Sequence, residues 1–308
     1  MLRSRSVWNM NNKTEKVESN GAAAALAVPR ETVRVAIQGI ATSFHEVAAK
    51  RYFDASADVE TVECLSFHEL CESLDRGGCD YAVMAIENSI AGSILPNYFL
   101  LQSYHFKIIG ELYLPIHMHL LALPGVKRED IRVVESHPMA IRQCAEYINA
   151  LPGVQVRESD DTALSAKRVQ ELGLKDTAAI ANEFAARKYG LEIIDKRIET
   201  HKKNFTRFLI LSKRNQLAGE TDKASLSFEV AHEVGSLADT LMVFKNHKIN
   251  LTKIQSIPVI GKPSEYSIHV DVEWKQRKSY DDAIHEILRQ VRNLNILGEY
   301  KKAKIEYS

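Results

Sequence analysis

Neither charge dominates this chain of 308 residues: 40 basic side chains balance 40 acidic ones. That balance favours neither nucleic acid nor an anionic membrane as a partner. No apolar run approaches the roughly 18 residues of a membrane span. Cysteine is sparse, and Cys64, Cys71, Cys79 and Cys144 show no CxxC spacing. Buried or inert thiols in a reduced, cytoplasmic setting fit that usage. A glycine-rich dinucleotide or phosphate loop is missing: Gly39 stands alone, and Gly77-Gly78 reads as a turn before a strand. His117-x-His119 has no third ligand at useful spacing, so no metal is expected. Cys144 falls on the apolar face of its helix and reads as core, against Cys-His catalysis. What is present, 45% hydrophobic and 26% charged, is the composition of a soluble globular protein whose length suggests two domains.

Residues 1–31 are polar, then Ala-rich, without periodicity, and read as a disordered tail. Arg3 and Arg5 hint at targeting, but Glu15, Glu18 and the missing apolar region argue against it, and Met10 is a possible second start. From Val33 to Leu211 strands and helices alternate. Strands are read at Val33–Ile37, Tyr81–Ile86, Lys107–Leu112, His117–Leu123, Ile131–Val134 and Ala178–Ile180. Helices are read at Phe44–Tyr52, from Ser136 as a cap through Ile148, at Thr162–Leu172 and at Asn182–Tyr189. The fold class is α/β with mainly parallel strands, and ligands are expected at the carboxyl ends of strands. Residues 213–223 read as a linker. Beyond them the order βαββαβ, with helices at Gly235–Asn246 and Ser279–Asn293 and a last strand at Leu297–Ile305, is a ferredoxin-like module. It leaves one sheet face free to pair with a second copy.

Polar residues gather where those strands end. Asn88, Ser89, Ser93, Ser136, Gln143, Thr162 and Thr206 make an uncharged hydrogen-bonding set. Helix starts near Ser43, Ser89 and Ser136 would add backbone N–H donors for carboxylate or phosphate. The strand Asn204-Phe205-Thr206-Arg207-Phe208, running into Leu209-Ile210-Leu211, offers an amide, a hydroxyl and a guanidinium but no strong base. Such a site binds anions and donates protons. The plainer alternative is an ordinary strand with a satisfied Thr and a surface Arg.

Three motifs in order resemble those of the prephenate dehydratases that end in an ACT domain: Ile86-Glu87-Asn88-Ser89 with Gly92-Ser93, Ser136-His137-Pro138 with Gln143-Cys144, and Asn204-x-Thr206-Arg207-Phe208. The resemblance spans about Val33 to Ile305. It implies a catalytic domain over residues 32–212, built as two subdomains of periplasmic-binding-protein type. The first would hold about 32–113 and 192–212, the second about 114–191, and the ACT domain would hold 224–308. The implied reaction converts prephenate to phenylpyruvate, CO2 and water without a metal or organic cofactor. Thr206 matches the position that assists the leaving hydroxide. Asn88, Ser89, Ser136 and Gln143 match substrate-site positions, with Ser43 and Thr162 as neighbours. Glu87, Arg207 and Phe208 would support the site, Arg207 because it points away from Thr206 on the strand. Arogenate dehydratase and a non-catalytic amino-acid sensor are the alternative readings.

The chain also departs from the family pattern. Gly39-Ile40-Ala41-Thr42-Ser43-Phe44-His45 stands where Gly-x-x-Gly-Thr-Phe-Ser is usual, so a turn of positive φ at Thr42 is either lost or made differently. Met139 replaces the Gln that usually follows Ser-His-Pro. In the ACT module, Gly235, Leu237, Ala238, Asn250, Leu251 and Ser256 would hold a phenylalanine effector at the interface of a homodimer or homotetramer. Gln255 and Ile257 replace the family's Glu and Arg there.

Overall fold

The computed structural model describes residues 31–54, 56–214, 219–259, 261–262 and 264–305. The expected tail lies outside the described residues except for Glu31, as do residues 215–218 of the expected linker. Alternating Val33, Val35 and Ile37 begin the chain's first strand, β1 (Glu31–Gln38). It is followed by α1 (Phe44–Phe53), β2 (Ala57–Cys64), α2 (Phe67–Asp75), β3 (Tyr81–Asn88), β4 (Gly92–Ser93), α3 (Leu95–Tyr104) and β5 (Lys107–Pro115). A second set follows: β6 (His119–Ala122), β7 (Val133–Ser136), α4 (Pro138–Gln143), α5 (Ala145–Asn149), β8 (Gln155–Glu158), α6 (Thr162–Glu171), β9 (Thr177–Ala181), α7 (Glu183–Tyr189) and β10 (Glu192–Asp195). The chain then runs through β11 (Phe205–Ser212), β12 (Lys223–Glu229), α8 (Ser236–Asn246), β13 (Asn250–Pro258), β14 (Tyr266–Glu273), α9 (Arg277–Ile287) and β15 (Arg292–Tyr300).

These strands make three sheets, ordered β2-β1-β3-β11-β5 with β4 beside β3, β10-β6-β9-β7-β8, and β13-β14-β12-β15. The first two are mixed rather than mainly parallel, because β11 runs antiparallel to both β3 and β5, and β6 antiparallel to β9 and β10. β10 pairs with β6, so the chain rejoins the first sheet only at β11. The third sheet is antiparallel in the ferredoxin-like order, with α8 and α9 covering one face through Phe244, Tyr280, Ala283 and Ile287. Its last helix ends at Ile287 and its last strand begins at Arg292, both earlier than the pattern predicts.

Period-two alternation sorts β11. Phe208 and Ile210 pack with α1 and the second sheet, while Leu209 and Leu211 pack with α2, α3 and Ile257, Leu297 and Tyr300 of the third sheet. The third sheet docks so closely that a Cβ on Gly298 would collide with the Ile108 carbonyl.

Among the described residues, no helix is long and apolar enough to cross a membrane. All four cysteines are buried and free, and burial pushes the thiols of Cys64, Cys71 and Cys144 up to about 12, where they are inert.

Candidate active site

β1, β3 and β7 all end at one cleft between the first two sheets. The cavity there holds about 310 Å³ and is lined on its polar side by Ser43, Asn88, Gln143, Thr162 and Thr206. Phe44, Phe67, Ile94, Ile116, Met118 and Phe208 form the apolar side. Asp160 and Asp161 line it, and among the described residues no Lys or Arg does. The first residues of three helices reach its wall: Phe44 and His45 of α1, Met139 and Ala140 of α4, and Thr162 of α6. Their N–H groups and dipoles supply positive potential without a cationic side chain.

Thr206 and Asn88 are cross-strand partners on β11 and β3. Asn88 Nδ2 donates to Thr206 Oγ1 at 3.0 Å and to Asn204 Oδ1 at 2.8 Å. Asn204 Nδ2 in turn donates to Gln143 Oε1 at 2.8 Å, and Gln143 Nε2 to Asn88 Oδ1 at 3.4 Å. The same Oδ1 accepts from the Ile90 and Ala91 N–H groups, each at 3.0 Å, which fixes the turn between β3 and β4. Three buried amides therefore satisfy one another. Since Thr206 Oγ1 accepts from Asn88, its own hydrogen is left to point elsewhere, and among the described residues it has no acceptor. A hydroxyl held as acceptor and offered as donor on a cavity wall is what the site presents to a ligand.

The structure does not bring every expected residue here. Ser136 is fully buried at the end of β7 and donates to the Ile180 carbonyl at 2.6 Å; it neither caps α4 nor lines the cavity. His137 is the cap instead, its Nδ1 accepting from Met139 N at 3.1 Å. Ser89 is exposed, accepting from Phe205 N at 2.9 Å and donating to the Lys203 carbonyl at 3.3 Å, and the nearest helix starts only after Ile94. The helix expected from Ser136 to Ile148 breaks at Cys144 into α4 and α5, which turns Gln143 towards Asn204. Ser43 does cap α1, accepting from Glu46 N at 3.3 Å, and Thr162 opens α6 behind its cap Asp161.

Thr42 keeps the glycine-like turn, at φ 73, although it is β-branched. Its carbonyl accepts from Asn182 Nδ2 at 2.7 Å, and its N–H donates to Glu46 at 2.5 Å, so the strained residue is held from both sides of the cleft. Gly39, at φ 94, lies against Asp161, and a Cβ there would run into the carboxylate.

Glu87 and Arg207 face away from the cavity. Arg207 Nε donates to Glu111 at 2.7 Å, and its other nitrogens bond Asp271 and the Tyr300 hydroxyl. Phe208 faces the cavity. Among the six residues expected to bind an effector, Asn250 and Leu251 start β13, beside Glu273 and Val272. Ser256 pairs with Ile268 at the other end, where β12 finishes opposite Ser267 and leads to Gly235, Leu237 and Ala238. Within one chain they lie at the two ends of one strand.

Three residues carry more than their sequence suggested. Asn204 bridges Asn88 and Gln143. His45, where the family pattern has Ser, is buried edge-on to Phe67 and Phe208 with ring centroids 5.5 and 5.1 Å away. Burial lowers it to about 3, so it is neutral. Asp161 caps α6 through Oδ1, accepting from Ala163 N at 2.6 Å and Leu164 N at 3.1 Å, and burial raises it to about 6 despite those bonds. Its position after Ser159 and before an apolar helix was the available cap signal.

The chain matches the prephenate dehydratase family model over residues 35–216. It is 31% identical over 277 residues to a bifunctional chorismate mutase/prephenate dehydratase of Enterobacter agglomerans, with 88% of this chain and 71% of that one covered. To arogenate dehydratase/prephenate dehydratase 2, chloroplastic, of Arabidopsis thaliana it is 37% identical over 305 residues, covering 94% and 76%. Among solved structures, a prephenate dehydratase of Arthrobacter aurescens in complex with L-Phe is 26% identical, with a TM-score of 0.78 over 87% of this chain and 90% of that one.

Proposed function

The chain belongs to the prephenate dehydratase family, and from that membership we infer that its cleft takes prephenate and lets Thr206 assist the departing hydroxide. The enzyme is a carbon–oxygen lyase of phenylalanine biosynthesis. Loss of CO2 leaves its bonding electron pair to the ring, the ring becomes aromatic, and the hydroxyl at the opposite carbon leaves. Aromatisation supplies the driving force, so the protein's task is to bind, orient and stabilise the leaving oxygen. The observation that carries this reading is the Thr206 hydroxyl, oriented by Asn88 and with no acceptor among the described residues. A Thr hydroxyl is a very weak acid, so it acts as a hydrogen-bond donor, with protons relayed to the hydroxide. The start of α1, capped by the neutral Ser43, suits the carboxylate that the substrate retains. The apolar wall leaves the departing carboxylate without a cationic partner, which favours its release as neutral CO2.

Arogenate, with an ammonium in place of the keto group, is the second reading, and Asp160 and Asp161 favour it. One titration separates the two. Asp161 is protonated below about pH 6 and anionic above it. KM for prephenate should rise as pH passes upward through that value, and KM for arogenate should fall. Asp161→Asn keeps a cap and should flatten both profiles. Side-by-side assays of phenylpyruvate and phenylalanine formation test this. Turnover of neither substrate would reject the dehydratase reading.

The third sheet is read as an ACT domain after residues 213–223, joined to two catalytic lobes. We propose phenylalanine as its effector and a cytoplasmic homodimer or homotetramer as the working form. The phenylalanine-bound relative supports this. The separation of Ser256 from Asn250 along β13 suits a site completed by a second copy. Millimolar phenylalanine should lower kcat/KM or change the sedimentation of the protein; unchanged kinetics with no binding heat would contradict it.

A further inference from the structure

Four charged residues face one another between the first and third sheets. Glu87 and Arg207 are cross-strand partners on β3 and β11. Lys253 and Asp271 are cross-strand partners on β13 and β14. The two pairs meet with opposite signs: Lys253 Nζ lies 2.7 Å from Glu87 Oε1, and Arg207 bonds Asp271. The contacts extend beyond the charges. Lys253 Nζ also donates to Ser93 Oγ at 2.6 Å, and Ser93 is the partner of Glu87 on β4. Ser225 Oγ donates to Asp271 Oδ1 at 2.5 Å and lies 2.7 Å from the Tyr300 hydroxyl. Beside Glu87 and Arg207 on their strands, with side chains on the opposite face, stand their neighbours Asn88 and Thr206.

We propose that Lys253, on the third sheet, is a positioning residue for the reaction, acting through Glu87 and Ser93 on the hairpin end that carries Asn88. The inference rests on the dehydratase reading of the Thr206 site. Glu87 and Ser93 flank the β3–β4 turn, whose backbone Asn88 holds through Ile90 and Ala91. A single ammonium on both strands fixes the height of that turn, and so the angle from which Asn88 Nδ2 meets Thr206. Asp271 holds the neighbouring strand in the same way through Arg207. Thus the third sheet completes the catalytic geometry without reaching the cavity.

Lys253→Met keeps the side-chain stem and removes the ammonium. We expect kcat for the preferred substrate to fall about 10–100-fold with KM within about twofold, because misplaced groups cost rate more than binding. Lys253→Arg should restore most of the loss. Glu87→Gln should lower kcat similarly, and the double variant should be no worse than either single one. Multiplying losses, or wild-type kcat in Lys253→Met, would overturn the proposal. A second reading needs no turnover. The side-chain amide resonance of Asn88, identified by its disappearance in Asn88→Asp, should shift in folded Lys253→Met protein. An unmoved resonance would overturn the positioning role even where the enzyme is active. A wild-type protein inactive on both prephenate and arogenate would instead reject the function, and the resonance would still decide the positioning.

Discussion

Thr206→Val should lower kcat for the preferred substrate by about 10²–10³-fold, the usual worth of one positioned hydrogen-bond donor to an oxygen that gains charge. KM should change by no more than about threefold, since the hydroxyl serves the departing oxygen in the transition state. Valine fills the same space on β11 but leaves one Nδ2 hydrogen of Asn88 without its acceptor; the other remains on Asn204. A modest loss of stability, about 1–3 kcal/mol, therefore accompanies the change. Thr206→Ser restores both the acceptor and the donor and should keep most of the rate. Phenylpyruvate absorbance measures all three proteins. Full activity in the valine variant would remove Thr206 from the chemistry while leaving the cleft as the site.

Arg207→Met should be the most destabilising single change of this region, by about 3–5 kcal/mol, because it leaves carboxylates buried and short of a cation. Arg207, Glu111 and Asp271 are all buried, and among the described residues Lys223, 3.0 Å from Glu111, is the cation that would remain. Burial acts to raise Asp271, but Arg207, Ser225 and Lys223 together hold it below the usual carboxylate range. The wild-type contribution is therefore complete above the unfolded value of about 3.9 and is lost as pH falls through the depressed folded value. In the variant the balance reverses. Burial without Arg207 raises Asp271, which then takes a proton in mild acid. The gap in unfolding midpoint between wild type and variant, about 10 °C at pH 7, should narrow towards pH 5. A gap that is absent, or that widens in acid, would show that the cluster is not held by charge.

Alternation and caps made much of this architecture readable. β1 alternates cleanly, β11 shows a polar start and an apolar remainder, α1 follows a serine cap, and the βαββαβ order emerges from period and turn residues alone. α3 did not: Leu95, Tyr98, Phe99, Leu100 and Leu101 put apolar residues on nearly every face, so the helical period is masked. α2 was missed as well, although Ser66 and Glu69 as a cap pair and the spacing of Leu70, Cys71 and Leu74 carried a signal for it. The last helix was overextended because Leu288 and Val291 continue its spacing, yet Arg292 already pairs with Glu229 of β12, so the chain must leave the helix before it.

The site divided in the same way. Asn88, Gln143 and Thr206 converge because they sit at strand and helix ends, a position that sequence marks. Ser136 occupies such an end too, but its hydroxyl turns inward to Ile180, a choice made by tertiary packing. The link from Lys253 to Glu87 joins residues 166 positions apart, and nothing local announces it.

The most direct measurement follows both products together. Purified chain incubated with prephenate at neutral pH should release phenylpyruvate and CO2 in equal amounts, and Thr206→Val protein at the same concentration should release both far more slowly. Prephenate consumed at the uncatalysed rate by the wild-type chain, or equal rates from wild type and variant, would contradict a dehydratase whose leaving group is assisted by Thr206.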